Sequence, residues 1–437
     1  MSVVVENNIT DAAVAVAGKG IDATSPLAAL RQSALADLQR MGFPSSRNEE
    51  YKHTPLTRAL EKNFNLSLAN SPGVGVHPSD FIIPGVKGNV LVFINGKYSR
   101  EHSSIVTPSS KMEILPLPEA VITKKDVILR HLATVADHSA DAFVAWNTAS
   151  WKDGVFIQVP DNKVVDEPVL VYHIHDTRGG QIVSANRNLV ILGKSSALTI
   201  LEKYDTTGNA NGFSTQVSEG IVNENACLTW FTIQNDKGNR YQFNHKQFQQ
   251  TRSSRVNTYT FTLSGKAVRN NLHLVLDGEG IESHMYGLYL IAKDTLADNH
   301  TVVDHKQPNS YSSELYKGII DDGAKGVFNG KIYVRPNAQK TNAFQANRNI
   351  LLTDKATVNT KPQLEIWADD VKCSHGCTTG QLDEEALFYL RARGISGDTA
   401  KAMVLYAFAG ELIETVKDSA IKAYLDSIIS ERLHKNF

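Results

Sequence analysis

The feature that most constrains this chain is a long series of short β-rich segments that begins at Trp151 and continues to the C-terminal tail. Their starts recur about every dozen residues, and Gly, Asn and Asp separate them. Such spacing is typical of an all-β unit of the sandwich, barrel or solenoid type. The clearest segments read VFIQV, PVLVYHIH, NLVILG, ALTILEKY, CLTWFTIQ, RVNTYTFTL, NLHLVLDG and GKIYV.

Two observations favour a solenoid among these folds. The series is too long for one ordinary sandwich, yet no linker divides it. The hexapeptide ANRNLV at 185–190 also returns as ANRNIL at 346–351, each time leading into a strand. Isolated Asn and Thr between apolar positions suit the turns and inward ladders of a parallel β-helix. The two open ends of such a fold need caps against edge pairing, and helical segments flank this one.

We therefore expect a mainly β protein with helices at both ends of the chain. In the first region, the part before Ile21 shows no clear period and is expected to form a mobile arm. In the tail, Leu382, Ala386, Leu387 and Leu390 fall at helical spacing on one face. The expected domains are a mostly helical N-terminal domain (1–150), a parallel β-helix core (151–377) and a C-terminal helical domain (378–437).

Composition narrows the class of protein. Forty-five basic residues stand against 46 acidic ones, which argues against a protein whose main task is to grip nucleic acid or an anionic membrane. No apolar run approaches the roughly 20 residues that span a bilayer. The N-terminal stretch carries Glu6 and Asp11 without a basic n-region, and three cysteines do not make a disulfide framework. We expect a cytoplasmic protein.

The strongest chemical signal is the run Cys373-Ser374-His375-Gly376-Cys377. If the preceding strand period continues, Val371, Cys373 and His375 share one face. Thiolate and imidazole together suit iron, zinc or an iron–sulfur unit. Three ligands at most make an incomplete site, so we expect another chain or a transient ligand to complete it. The alternative is a structural turn in which the cysteines stand by chance.

A second histidine pair is a weaker signal. His173 and His175 lie two residues apart, but no third ligand is close to them in sequence. Because a transition metal usually takes three or four ligands, we interpret the pair as surface or turn histidines.

Three longer segments resemble the signatures of one family. They are the N-terminal signature GFPSSRNEEYKHTPL (42–56), the central signature GKIYVRPNAQKTNAFQANRNILL (330–352) and the C-terminal signature LEIWADDVKCSHGCTTGQLDEEALFYLRARGI (364–395). In this order they resemble the SufB/SufD family of iron–sulfur cluster assembly proteins, and the C-terminal signature is most similar to the SufD branch.

The resemblance implies a right-handed parallel β-helix between helical N- and C-terminal domains. It also implies a non-catalytic scaffold subunit that works with SufB and with the ABC-type ATPase SufC. Cys373 and His375 match the family positions near the SufB–SufD contact and are candidate iron or cluster ligands at that interface. Cys377 stands where the family commonly has Ala, so it is either incidental or an added ligand.

The resemblance further places the SufC contact in the C-terminal helices, at about residues 379–412. The candidate contact residues are Asp383, Glu384, Phe388, Tyr389, Arg391 and Arg393. We expect no cofactor stably bound to the single chain, and a transient iron or iron–sulfur cluster in the complex. A homodimer is one possible assembly of the chain alone, whose oligomeric state without partners the sequence leaves open.

An enzyme is the alternative from another class. Many β-helix proteins act on acidic polysaccharides with clustered carboxylates along one groove. Asp277, Glu279 and Glu282 could supply such carboxylates, although the sequence DGEGIES suits a polar turn equally well.

Overall fold

The computed structural model describes residues 9–68, 70, 73 and 75–435. It confirms a mainly β protein: a parallel β-solenoid of about eight turns with helices before and after it. Within the described residues, no helix is long and apolar enough to cross a lipid bilayer.

The strands form the two walls of the solenoid. In the described part of the chain, one wall, sheet A, has ten strands in the order β19-β17-β15-β13-β11-β9-β7-β5-β1-β2, and the other, sheet B, has nine in the order β18-β16-β14-β12-β10-β8-β6-β4-β3. The strands are β1 (Asn89–Ile94), β2 (Lys97–Tyr98), β3 (Glu113–Pro116), β4 (Val155–Val159), β5 (Val169–Asp176), β6 (Ile182–Leu192), β7 (Ala197–Thr207), β8 (Gly212–Val222), β9 (Cys227–Asn235), β10 (Arg240–Gln250), β11 (Arg255–Ser264), β12 (Ala267–Leu276), β13 (Glu282–Ile291), β14 (Leu296–His305), β15 (Tyr311–Ile320), β16 (Lys325–Val334), β17 (Asn342–Leu351), β18 (Thr357–Ile366) and β19 (Lys372–Gly380).

The corners of the solenoid follow from a repeated backbone conformation. Once per turn a residue with positive φ reverses the chain; these residues are Asn162, Ser195, Asn225, Ser253, Gly280, Asn309 and Lys340. Asn and Gly tolerate this left-handed region best, which explains their spacing between the β-rich segments. The N–H groups of the non-glycine residues at these corners also bond to the next turn, as Asn225 does to the Arg252 carbonyl at 3.0 Å.

The core lies between the two sheets. Alternate residues of each strand point inward, and Val190, Leu228, Leu274 and Phe328 are all fully buried there. Burying one such side chain contributes about 1.5–3 kcal/mol relative to leaving it in water.

The N-terminal helices cover one side of sheet B. Apolar residues of this segment, such as Leu38, Leu60 and Phe143, pack against Phe213 and Phe243 of the sheet. The helices are α1 (Ile9–Lys19), α2 (Ala28–Met41), α3 (Leu56–Asn63), α4 (Leu117–Thr123), α5 (Lys125–His131) and α6 (Ala142–Ser150), with 3₁₀ turns at Glu49–Tyr51 and Pro78–Asp80.

The expected mobile arm before Ile21 is wrong for residues 9–19. They form α1, because Ile9, Ala13 and Ala17 recur on one face and are buried against neighbouring helices. Residues 1–8 lie outside the described part of the chain.

The C-terminal helices cover part of sheet A. They are α7 (Glu384–Arg391), α8 (Gly397–Ile413) and α9 (Ser419–Lys435). Leu405, Ala409 and Leu412 of α8 belong to the same apolar cluster as Leu288 and Ile319 of the sheet. The domain bounds at 150 and 377 stay predictions, although β1, β2 and β3 already join the solenoid sheets before residue 150 and β19 runs to Gly380.

Candidate functional site

The C-terminal end of the solenoid is open. Strands β18 and β19 are the last members of their sheets, so each has one edge without a neighbouring strand in the described part of the chain. Their inward faces are only partly covered: Thr360 and Cys373 are half-buried, and His375 and Cys377 are exposed. We call β18, β19 and the side chains between them the open end. Unprotected strand edges of this kind are a template for pairing with another chain.

The run predicted from sequence lies on the inward face of β19. In the parallel register, Cys373, His375 and Cys377 stand beside Ala343, Gln345 and Asn347 of β17. Those three β17 residues are buried, which shows which face of the ladder points into the solenoid. The prediction that Cys373 and His375 share a face is therefore confirmed.

The spacing along the strand limits what these residues can ligate together. A strand rises about 3.3 Å per residue, so Cys373 and Cys377 are separated by about 13 Å along β19. Zinc–sulfur bonds are only about 2.3 Å long, so one ion cannot take both thiolates on this backbone. In the described part of the chain, no three His, Cys, Asp or Glu residues are grouped so that they could hold a metal ion. The open end presents at most a partial ligand set.

The two thiols have different surroundings. Burial raises the pKa of the Cys373 thiol, so it is protonated at neutral pH until a metal or another electrophile displaces the proton. The Cys377 Sγ lies 3.0 Å from the Thr360 Oγ1 of β18 and 3.9 Å from the Asn347 Oδ1. Cys377 thus bridges the two terminal strands at the open end.

The N-terminal signature lies across the same region, which sequence reasoning did not foresee. Thr54 bonds to Asp298 of β14, Glu50 to Lys331 of β16 at 2.6 Å, and Glu49 pairs with Lys361 of β18. One short segment thus contacts three successive turns of sheet B. Lys331 belongs to the central signature, and Lys361 is adjacent to Thr360. The three signatures therefore meet near the open end.

Within this contact, Glu50 has several partners on the solenoid. The His300 Nδ1 is 3.2 Å from its carboxylate, and this hydrogen bond, together with Lys331, lowers the pKa of Glu50 to about 2. The backbone carbonyl of Glu50 also accepts a bond from Arg269, whose guanidinium pairs with Asp298 at 2.7 Å. The acidic pair of the N-terminal signature is therefore bound to the solenoid by charge.

The candidate partner residues lie on and beside α7. Asp383 caps this helix, because its Oδ1 accepts the N–H groups of Glu385 and Ala386 at 3.0 Å. None of the residues of α7 is buried. Phe388 is 75% exposed, and Tyr389, 55% exposed, stacks with the Arg393 guanidinium. Glu384 and Arg391 are exposed on the same helix.

The weaker histidine pair is placed differently from the prediction. His173 and His175 are not at the surface or in a turn but buried in β5. His173 stacks on Tyr204 at 4.6 Å, and its burial lowers its pKa to about 3, so it is neutral. The sequence PVLVYHIH does not show this burial, because a strand buried on both faces lacks the alternation of apolar and polar residues that separates buried from exposed positions.

The carboxylates of the alternative enzyme do not form a groove of free acids. Asp277 and Glu279 lie in the turn between β12 and β13. Glu282 is paired with Arg255 and with the His284 Nε2 at 2.7 Å. This arrangement does not favour the polysaccharide-acting alternative.

Comparisons with known proteins agree with the signatures. Residues 173–408 match the SufBD core domain of the SUF system for iron–sulfur cluster assembly, and residues 20–171 match the SufBD N-terminal region. The chain belongs to the SufB/SufD family. It is similar to the iron–sulfur cluster assembly protein SufD of Escherichia coli, with 30% identity over 92% of both chains.

Two further relatives extend this finding. An iron–sulfur cluster assembly SufBD family protein of Synechocystis is 30% identical over 92% of this chain and 90% of its own length. SufD of Bacillus subtilis is 27% identical over 66% of each chain. The chain is thus a SufD-like member of the SufB/SufD family.

Proposed function

We propose that this chain is the non-catalytic scaffold subunit of a cytoplasmic SufBCD-type complex for iron–sulfur cluster assembly. Its open end pairs with a SufB-like protein, and its C-terminal helices bind a SufC-like ABC ATPase. Iron and the growing cluster are cargo that the complex holds transiently, and the single chain holds no cofactor stably.

The open end is the observation that carries this proposal. In the part of the chain that the structure describes, it offers two strand edges without a neighbouring strand. It also offers two candidate ligands, Cys373 and His375, on a face that a second solenoid could cover. A second chain would supply the ligands that β19 alone cannot bring to one ion. It would also remove two exposed strand edges from solvent.

Helix α7 supports the second half of the proposal. Helix α7 partly buries Ala386, Leu387 and Leu390 on one face but leaves the large side chains of Phe388 and Tyr389 mostly in solvent. Exposed groups of large apolar side chains mark interaction sites. Aromatic side chains and Arg are enriched at the centres of protein interfaces. The Arg393 guanidinium lies over the Tyr389 ring, and Arg391 is in the last turn of the same helix.

The test is anaerobic reconstitution of the complex with a His375→Ala chain. We expect the variant to fold and to assemble with both partners but to yield less cluster, because a ligand at the shared site is gone. His77→Ala is the matched control, since His77 is exposed and lies outside the open end. Normal cluster yield from the His375 variant contradicts the ligand role. A wild-type chain that binds neither partner in a pull-down contradicts the scaffold role.

A further inference from the structure

An elongated groove lies between α3 and the outer face of sheet B, with a volume of about 950 Å³. Along its floor, residues of five neighbouring strands stand side by side in register: Tyr241, Ala267, Leu296, Lys325 and Thr357. Neighbouring strands are about 4.8 Å apart, so this row is about 19 Å long. We call this space the α3 groove.

One face of α3 forms a wall of the groove. Leu56 and Leu60 are fully buried in the apolar cluster that packs on sheet B. Arg58 and Lys62 lie one turn apart on another face of the helix, where both are exposed and line the groove. The two leucines hold the helix on the sheet, so the two cations take no part in its core packing.

The groove carries an excess of positive charge. Among the described residues that line it, the acidic one is Asp294, which pairs with Lys266 at 3.3 Å. Like the two cations of α3, the lining residues Lys52 and Lys325 have no ion-pair partner within the described part of the chain. The whole chain has a formal net charge of -1, so this excess is local. A cleft lined by one sign of charge attracts ligands of the opposite sign.

The N-terminal signature supplies part of this surface. Its Glu50 and Thr54 contact the solenoid, whereas Lys52, His53 and Pro55 are exposed and line the groove. The signature therefore has an exposed side that its contacts with the solenoid do not use.

The shape and the lining of the groove select a class of ligand. An extended peptide advances about 3.3 Å per residue, so about six residues span the row. Pro55, Ala59 and Val358 line the groove and keep part of their surface exposed, which suits small apolar side chains of a ligand. Proteins that bind single-stranded nucleic acid generally stack its bases on exposed aromatic rings. The Phe, Tyr or Trp ring among the described lining residues, Tyr241, is only 9% exposed.

We propose that the α3 groove binds an extended acidic segment of a partner protein, about six residues long, with apolar side chains between its Asp and Glu residues. The carboxylates of this segment pair with Arg58, Lys62 and Lys325, and its apolar side chains cover Ala59 and Val358. This contact is additional to those proposed for the open end and for α7, and it does not depend on them.

The test selects short random peptides, displayed on phage, on the immobilised full-length chain. We expect the selected sequences to be rich in Asp and Glu, interleaved with Ala, Val or Leu. The most enriched sequence is then synthesised with a fluorescent label, and fluorescence anisotropy measures its affinity for the wild type. Added salt should weaken this binding, because salt screens exposed charges.

The Arg58→Glu/Lys62→Glu chain should bind the same labelled peptide about tenfold more weakly or worse, because like charges that face each other across a contact are unfavourable. Lys125→Glu/Arg130→Glu is the matched control. It makes the same change in net charge at exposed positions of α5, outside the groove, and should bind the peptide like the wild type.

Four outcomes overturn the proposal. The first is a selection that enriches no peptides, or peptides without an excess of acidic residues, and the second is equal affinity of the two double variants. The third is a labelled single-stranded oligothymidine that binds the wild type as tightly as the peptide and loses affinity in the α3 variant, which identifies a nucleic acid. The fourth is a wild-type dimer in light scattering that the α3 variant loses, which identifies a second copy of this chain.

A second variant covers the case in which the α3 variant misfolds. Lys325→Glu changes an exposed residue of β16 on the floor of the groove and leaves α3 intact. It should also weaken binding of the peptide, and an unchanged affinity contradicts the proposal. These measurements use the chain without SufB-like or SufC-like partners, so their result is separate from the tests of the proposed function.

Discussion

At the scale of single residues, burial sets the chemistry of the solenoid interior near the open end. Glu314 is 2% exposed, and desolvation raises its pKa to about 7. An unfolded chain would titrate the same carboxyl near its ordinary value of 4.5. The folded state therefore holds the proton over a range of pH in which the unfolded state has released it.

This difference predicts a stability that falls as pH rises. Below about pH 4.5 the Glu314 carboxyl is protonated in both the folded and the unfolded state, and its full contribution to stability is present. Between there and about pH 7 the folded state loses stability relative to the unfolded state. The loss reaches about 3 kcal/mol, because each unit of pKa difference corresponds to about 1.4 kcal/mol. Glu314→Gln should remove the loss and be more stable than the wild type at pH 8 but not at pH 4.5. Urea denaturation at both pH values measures this, with exposed Glu61→Gln as control. Equal midpoints for Glu314→Gln and wild type at pH 8 contradict the prediction.

At the scale of elements, α7 is a helix without a fully buried residue. Phe388 packs little against the rest of the chain, because three quarters of its surface is in solvent. Its proposed task is to bind the ATPase partner.

Phe388→Ala should therefore separate binding from stability. We expect the free energy of unfolding to stay within about 0.5 kcal/mol of the wild-type value, as for other surface substitutions. The affinity for a SufC-like partner should fall about tenfold or more, as for truncation of an interface hot spot. Calorimetric titration measures the affinity. Ile122→Ala is the matched control, since Ile122 is 78% exposed on α4, and it should bind normally. Equal affinities of the two variants would exclude α7 as the contact.

The repeated hexapeptide shows how far sequence could predict these elements. It indicated a repetitive β-fold, which is confirmed, but the two copies lie inside β6 of sheet B and β17 of sheet A. Arg187 of the first copy is fully buried against Glu219 at 2.6 Å, whereas Arg348 of the second pairs with Glu411 near the surface. Which outer face is covered depends on helices that are distant in sequence. The local sequence pattern therefore does not show which of the two Arg side chains is buried.

Part of the candidate site could be predicted from the sequence, because that part depends only on local spacing. Cys373 and His375 are two residues apart, so the strand period alone places them on one face. Thr360, Gln345 and Glu50 come close to these residues only through the register of the turns. A single sequence does not reveal that register, because every strand of a solenoid offers a similar alternation.

At the scale of the whole molecule, the N-terminal signature connects the first region of the chain to the last turns of the solenoid. The lowered pKa of Glu50 makes this contact depend on pH. Its contribution is present above about pH 4.5, where an unfolded chain also ionises the carboxyl, and is lost as the pH falls towards 2.

Glu50→Gln should therefore lower the stability at pH 6 and flatten the acid limb of the stability profile. The expected loss is modest, because the Glu50 side chain is 39% exposed and water screens its charge. Urea midpoints at pH 6 and pH 3 measure it, with exposed Glu101→Gln as control. A variant that loses as much stability as the wild type between these pH values shows that Glu50 is not the responsible group.

The contacts of the N-terminal signature also fix how many coils the end of the solenoid can have. Thr54, Glu50 and Glu49 reach β14, β16 and β18 in turn, and consecutive coils are about 4.8 Å apart. An extra coil inserted between β14 and β18 would fit the stacking of the sheets but would carry Lys361 about 4.8 Å beyond Glu49. The stacking of the repeats alone would allow a coil to be added or lost. The N-terminal signature therefore fixes the number of coils between β14 and β18, and with it the position of Cys373 and His375 at the end of the solenoid.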